Sequence, residues 1–165
     1  MTGGSAAIIA RAGGVPIKAI YVYSKPEWTA LVTRKDSGIG RIDDLKGKSD
    51  STPIVVFAHI PLWTVYADWG WGTDDGMQAL MLLQRFGSVT VLNGHIHQIV
   101  QKVEGNMTFH TARSTAFPQP APHTAKGPGP MTVPAEKLRS LLGVASVSVQ
   151  QTAGPLAIVD SPLAG

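Results

Sequence analysis

The stretch that decides the fold is VTVLNGHIH at residues 89–97, in which an apolar run is followed by a glycine and two histidines. A run of apolar and β-branched residues that stops at a turn predicts a buried strand. A second run, IVVFA at residues 54–58, ends in the same way and is followed by His59. Ligands of open α/β sheets bind at the carboxyl ends of the strands. The two runs therefore predict one site that contains His59, His95 and His97.

Histidine is the residue type that makes this pattern chemically informative. Neutral imidazole is a common ligand of zinc, manganese and iron. His95 and His97 lie two residues apart in a turn, so both side chains can point into one crevice. A loop with two incidental histidines is the alternative interpretation, and the second strand end at His59 favours the metal site.

The composition excludes several classes of function. The chain has 165 residues, of which 44% are hydrophobic, enough for one ordinary domain or two small ones. The apolar runs are shorter than a bilayer span, and the first residues lack the pattern of a signal peptide. We therefore expect no membrane partner and, by default, a cytoplasmic location. The absence of cysteine excludes disulfides and thiolate metal sites.

The net charge of +3 is distributed unevenly along the chain. Residues 1–50 contain eight Lys/Arg and five Asp/Glu, whereas residues 51–165 contain six of each. The basic residues of the first part are scattered and have few aromatic neighbours. This pattern is typical of a solvated face, and it predicts no nucleic-acid polymer as a partner.

The pattern divides the chain into two segments, 1–49 and 52–163. For the first segment it predicts a helix at 5–12, strands at 17–23 and 28–33, and a brief helix at 42–45. For the second it predicts strands at 54–58, 89–93, 98–103 and 107–112, helices at 74–86 and 134–142, an irregular loop at 118–130, and a closing hairpin at 145–150 and 156–159. A Gly105 turn joins the strands on either side of it.

The second segment resembles a known family. Residues 52–163 are similar to the C-terminal part of a calcineurin-like metallophosphoesterase, in the bacterial cyclic-nucleotide phosphodiesterase-like branch. The matching motifs are FAHIPL at 57–62, NGHIH at 93–97 and FHTARSTAFP at 109–118. The resemblance implies an α/β fold: part of a β-sandwich with flanking helices that carries two metal ions at its rim.

The same resemblance implies roles for individual residues. His59 and His95 would bind one divalent ion and His97 the other, with manganese, iron or zinc as the open choices. Asn93 and Arg113 would contact the substrate, a small phosphoester such as a cyclic nucleotide, which a bound water would hydrolyse.

The chain departs from the family pattern in its acidic ligands. It contains no Asp-x-His, no Gly-Asp and no Asn-His, so the carboxylate that bridges the two metals in the family has no counterpart. A two-metal mechanism needs that bridge to generate hydroxide near neutral pH. Whether this chain is an enzyme is therefore left open by its sequence.

The first segment resembles a different family. Residues 2–48 are similar to a fragment of an ABC-transporter substrate-binding protein of the nitrate, sulfonate and taurine type. The similarity lies in IKAIYVYSKPEWTALV at 17–32 and IDDLKGK at 42–48. It implies that residues 2–5 would sit at a ligand cleft, where a helix N-terminus can hold an anion.

These resemblances predict a short N-terminal α/β appendage at 1–49 joined near residues 49–52 to a partial phosphoesterase sandwich at 52–163. Metal-dependent phosphodiester hydrolysis is the first functional hypothesis. The alternatives are a module that binds a small oxyanion such as a sulfonate, and a metal-binding remnant without catalysis. A partial sandwich exposes sheet edges and apolar faces, which predicts marginal stability or self-association.

Overall fold

The computed structural model of the protein describes residues 17–22, 30–34, 36–148 and 156–163. The strands are β1 (Ile17–Val22), β2 (Ala30–Arg34), β3 (Ile54–Ala58), β4 (Val89–Asn93), β5 (Gln101–Glu104), β6 (Met107–Thr111), β7 (Gly143–Ser148) and β8 (Ala157–Pro162). The α-helices are α1 (Gly76–Met81) and α2 (Ala135–Leu141), and 3-10 turns cover Ile42–Gly47 and Ala67–Trp69. The mixture of helices and strands confirms the α/β class. In the described residues no helix is long and apolar enough to cross a membrane.

A four-stranded sheet in the order β3-β4-β6-β5 organises the second segment. β4 runs parallel to both β3 and β6, and β5 pairs antiparallel with β6. Ala58, Asn93 and Thr111 are in register at the carboxyl ends of the three parallel strands. The residues that follow these strands therefore emerge at the same edge of the sheet.

The core lies around β4, whose five residues are all buried. Val91 and Phe109, on the neighbouring strands β4 and β6, are fully inaccessible to solvent. Leu80 of α1 and Phe86, beyond the end of that helix, belong to the same buried cluster. Parallel strands that are covered on both faces require such continuous apolar runs, which is why the sequence pattern places β3 and β4 correctly.

The first helix of the second segment is shorter than the pattern predicts. It covers Gly76–Met81, and the chain continues in tight turns in which the Leu83 and Phe86 amides donate to carbonyls three residues earlier. Met77 and Met81, which are spaced as on one face of the predicted helix, are about 60% exposed. Leu80, Leu83 and Phe86 belong to the buried cluster and the two methionines lie outside it, so the apolar spacing of the predicted helix does not mark a single buried face.

The remaining strands form two antiparallel pairs, β1 with β2 and β7 with β8. β2 lies beside β3 at the edge of the four-stranded sheet. The described residues therefore form one sheet of four strands and two hairpins. The phosphoesterase β-sandwich is not confirmed. The helix predicted at 5–12 lies outside the described residues.

Candidate functional site

The carboxyl ends of β3 and β4 bring two of the predicted histidines into contact. Nε2 of His59 lies 3.3 Å from Nδ1 of His95, and the two rings meet edge to face with centroids 5.2 Å apart. The backbone fixes this arrangement, because the Gly94 amide donates a 3.0 Å hydrogen bond to the His59 carbonyl. Strand register thus brings together residues that are 36 positions apart in sequence.

The turn after β4 has an unusual backbone. His95 and His97 have φ angles of 65° and 55°, in the left-handed region that residues with a Cβ rarely adopt. Ile96 between them is completely buried. The turn therefore inserts Ile96 into the core and leaves both imidazoles half-buried on the outside. Strained backbone of this kind clusters at functional sites.

His97 contacts a residue other than His59 and His95. Its Nδ1 lies 2.7 Å from the Phe117 carbonyl oxygen, and the centroids of the His97 and Phe117 rings are 4.5 Å apart. A carbonyl can only accept, so Nδ1 carries the proton and donates it. The structure thereby holds His97 against the loop after β6, whereas His59 and His95 contact each other.

Asn93 is buried at the end of β4 and ties two strands together. Its Nδ2 donates to the carbonyls of Ala58 at 2.8 Å and Ile60 at 3.3 Å. Its Oδ1 and the Oε1 of Gln119 are buried acceptors without a partner among the described residues. Gln119 also donates to the His95 carbonyl at 3.0 Å. The amide of Asn93 is thus engaged mainly in structure, and its role in substrate binding stays a prediction.

Burial determines the electrostatics of the histidines. Desolvation lowers the pKa of His95, and the neighbouring His59 and His97 lower it further. Desolvation also lowers the pKa of His97, against the opposing effect of its hydrogen bond to Phe117. Both imidazoles are therefore neutral at pH 7.

The described residues do not fit the metal centre that the phosphoesterase resemblance implies. Among them, no three His, Asp or Glu side chains form a group that could hold a metal ion. His59 and His95 supply two nitrogens, whereas a tetrahedral zinc site takes three or four protein ligands. The prediction that the chain binds metal is therefore wrong for the described residues. The choice among manganese, iron and zinc was implied by the resemblance alone, and nothing in the structure bears on it.

Arg113, the other predicted substrate contact, lies in a different environment. It follows β6 and lines a pocket of about 200 Å³ together with Ile99, the start of β7 and the end of β8. Its Nη1 donates to the Ser140 carbonyl at 3.0 Å. None of His59, His95, His97 and Asn93 lines this pocket. Among the predicted site residues, His59 and His95 thus contact each other, Asn93 and His97 flank the turn beside them, and Arg113 lines a separate pocket.

One polar contact near that pocket has no signal in the sequence. His110 is buried in β6, and its Nε2 lies 3.1 Å from Oδ1 of Asp160 in β8. The two residues are 50 positions apart, and no motif connects them. Only the docking of the β7–β8 hairpin reveals that Asp160 belongs beside His110.

Comparison with known proteins supports the resemblance of the first segment to a substrate-binding protein. A family model described as NMT1/THI5 like matches residues 1–76 of the 165-residue chain. This match agrees with the resemblance of residues 2–48 to a substrate-binding protein, and it extends past the predicted join at 49–52 to include β3 and His59. No curated protein matches the chain.

These findings correct the enzymatic hypothesis. The family match points to a substrate-binding family and away from a hydrolase, and no metal-binding group is present in the described residues. The predictions of a hydrolase, a calcineurin-like metallophosphoesterase and a phosphodiesterase are therefore wrong. No finding supports the phosphoesterase resemblance of residues 52–163.

Proposed function

We propose that the chain is a binding module for a small oxyanion such as a sulfonate, and that residues 1–76 carry this function. The observation that carries the proposal is the NMT1/THI5 like match over those residues. It agrees with the independent similarity of residues 2–48 to substrate-binding proteins of the nitrate, sulfonate and taurine type.

The charge distribution supports an anionic ligand. Residues 1–50 have an excess of three basic residues, eight against five, which accounts for the whole net charge of +3. A positive field over the binding segment raises the local concentration of anions and their rate of association. Thr2 and Ser5, at the cleft by resemblance, supply hydroxyl donors for an oxyanion.

Thermal unfolding of the full chain in metal-free buffer tests the proposal, with ethanesulfonate and nitrate as probes and chloride at equal ionic strength as the reference. A ligand that binds only the folded state stabilises it by about 2.7 kcal/mol at a hundredfold excess over Kd. We expect a saturable rise in Tm with ethanesulfonate that chloride does not produce and that EDTA does not remove.

Variants locate the binding within the chain. The double substitution Thr2→Ala and Ser5→Ala should reduce the rise in Tm, whereas Thr115→Ala, at an exposed position outside the matched segment, should leave it unchanged. Equal responses to ethanesulfonate, nitrate and chloride would reduce the effect to general salt screening and would contradict the proposal.

A further inference from the structure

The pocket beside Arg113 lies outside the segment that the family model matches, and its lining combines one cation with one anion. Arg113 approaches from the loop after β6 and Asp160 from β8, with Ile99 and Val144 as apolar walls. No carboxylate of the described residues lies within ion-pair distance of Arg113, and the only partner within that distance of Asp160 in the same residues is His110. Arg113 and Asp160 therefore line the same pocket without forming an ion pair with each other.

A hydrogen-bond chain through the buried His110 fixes the carboxylate. Nε2 of the Gln101 amide lies 3.2 Å from Nδ1 of His110, and Nε2 of His110 lies 3.1 Å from Oδ1 of Asp160. Because the Gln101 nitrogen can only donate, Nδ1 of His110 accepts and Nε2 carries the proton toward Asp160. The His110 side chain is only 2% exposed. This orientation engages Oδ1 of Asp160 and leaves Oδ2 for another donor.

One hydrogen bond and the packing of its stem position the arginine. Nη1 of Arg113 donates to the Ser140 carbonyl at 3.0 Å. Its stem lies against β7 at Gly143, where a Cβ would come within 3.3 Å of Arg113 Cδ and 2.8 Å of the Ser161 carbonyl oxygen. Glycine at position 143 therefore makes room for the arginine stem. The other guanidinium nitrogens have no hydrogen-bond partner among the described residues and can bind an anionic group.

Size and charge together select the ligand. A pocket of about 200 Å³ is smaller than the roughly 300–1,000 Å³ that drug-sized ligands occupy, so it admits a molecule of a few heavy atoms and excludes a nucleotide. We propose that this pocket binds a small zwitterion, such as a short amino acid, with its carboxylate or sulfonate at Arg113 and its ammonium at Asp160. The site is independent of the oxyanion function assigned to residues 1–76.

Isothermal titration calorimetry of the full chain with β-alanine tests the proposal. Propionate, which lacks the ammonium, and ethylamine, which lacks the anion, are the matched ligands. We expect β-alanine to bind at least about tenfold more tightly than either, since a hydrogen bond to a charged group contributes on the order of a factor of ten or more.

Three variants test separately the contacts that the pocket makes with the two charged ends of the ligand. Arg113→Gln should weaken β-alanine binding about tenfold. Asp160→Asn should do the same, because it removes the charge and retains a carbonyl that accepts from His110. Val144→Trp, which leaves both charges in place and fills the space between them, should abolish binding. Circular dichroism verifies that each variant is folded, and Val144→Trp carries the test if the charge variants unfold.

Absence of β-alanine binding at millimolar concentrations would overturn the proposal, as would equal affinity for β-alanine and propionate. The oxyanion proposal is judged separately with ethanesulfonate, which has no ammonium. Stabilisation by ethanesulfonate that survives in Arg113→Gln, together with no β-alanine binding, would reject this pocket and leave the oxyanion function of residues 1–76 in place.

Discussion

His59 and His95 contact each other across the carboxyl ends of two parallel strands, with Nε2 of the first 3.3 Å from Nδ1 of the second. Two cationic imidazoles at this distance would repel, so the contact requires that at least one ring is neutral. Burial meets this requirement by lowering the pKa of His95. The pair therefore makes the stability of the strand ends sensitive to pH.

Acidification should destabilise the protein through His95. A histidine whose pKa is lower in the folded state than in the unfolded state contributes its full stability above the unfolded value and loses it as the pH falls toward the folded value. We expect Tm to fall between pH 7 and pH 5. His95→Asn, which tolerates the left-handed backbone, should flatten this dependence in thermal unfolding experiments.

The matched control for this prediction is His123→Asn. His123 is exposed and also has a positive φ angle of 66°, so the same substitution there tests the backbone without the buried pair. A pH profile that is unchanged in His95→Asn, or equally flattened in His123→Asn, would contradict the assignment to His95.

The absence of a metal group in the described residues leads to a prediction about catalysis. We expect the purified chain to hydrolyse bis-p-nitrophenyl phosphate in the presence of Mn²⁺ no faster than the His95→Ala variant, because the bridging carboxylate of a two-metal site has no counterpart in the sequence. The release of p-nitrophenol, followed by absorbance, is the measurement. Turnover that His95→Ala removes would restore the enzymatic hypothesis.

Asn93 should matter to stability whatever its role in binding. It is 3% exposed, and Nδ2 satisfies the carbonyls of Ala58 and Ile60. Replacing it by Ala leaves these acceptors unpaired and should lower the free energy of unfolding by about 1–3 kcal/mol. Asn93→Asp should cost more at pH 7, because a carboxylate would face two carbonyl oxygens. Urea denaturation measures both, with exposed Gln78→Ala as the near-neutral control.

The sequence predicts the central strands well because the signal for them is local. β3 and β4 are continuous apolar runs of the kind that buried parallel strands require, and their predicted bounds agree with the structure, although only β4 is buried on both faces. The turn at Gly105 is also local, since its φ angle of 57° favours glycine. The proximity of His59 and His95 follows from these strands by the rule that parallel strands share a carboxyl edge.

Features that depend on distant packing escape the sequence pattern. The hydrogen bond from His97 to the Phe117 carbonyl and the contact of His110 with Asp160 join segments 20 and 50 residues apart. No periodicity encodes such pairs. The length of α1 is missed for the same reason, because Met77 and Met81 have the spacing of a buried face and only the fold reveals that they remain exposed.

The start of α1 depends on the absence of a side chain at Gly76. A Cβ built there would overlap the Leu62 carbonyl oxygen, a contact with backbone that cannot move aside cheaply. Gly76→Ala should therefore lower the free energy of unfolding by about 1–3 kcal/mol, despite the better helix propensity of alanine. Gly127→Ala, where a Cβ meets nothing within 4 Å, should change stability little. Chemical denaturation of the two variants provides the comparison.

The β5 edge of the sheet should govern self-association. Within the described part of the chain β5 pairs with β6 on one side only, and Val103 in this strand is 72% exposed. Exposed edge strands with apolar side chains template pairing with another chain, and lysine on the edge suppresses it. We expect the wild-type chain to form dimers or larger species with rising concentration, and Val103→Lys to shift it toward the monomer. Light scattering coupled to size-exclusion chromatography measures the mass. Thr115→Lys adds the same charge at another exposed position, so an equal shift in that variant would assign the effect to net charge and not to the β5 edge.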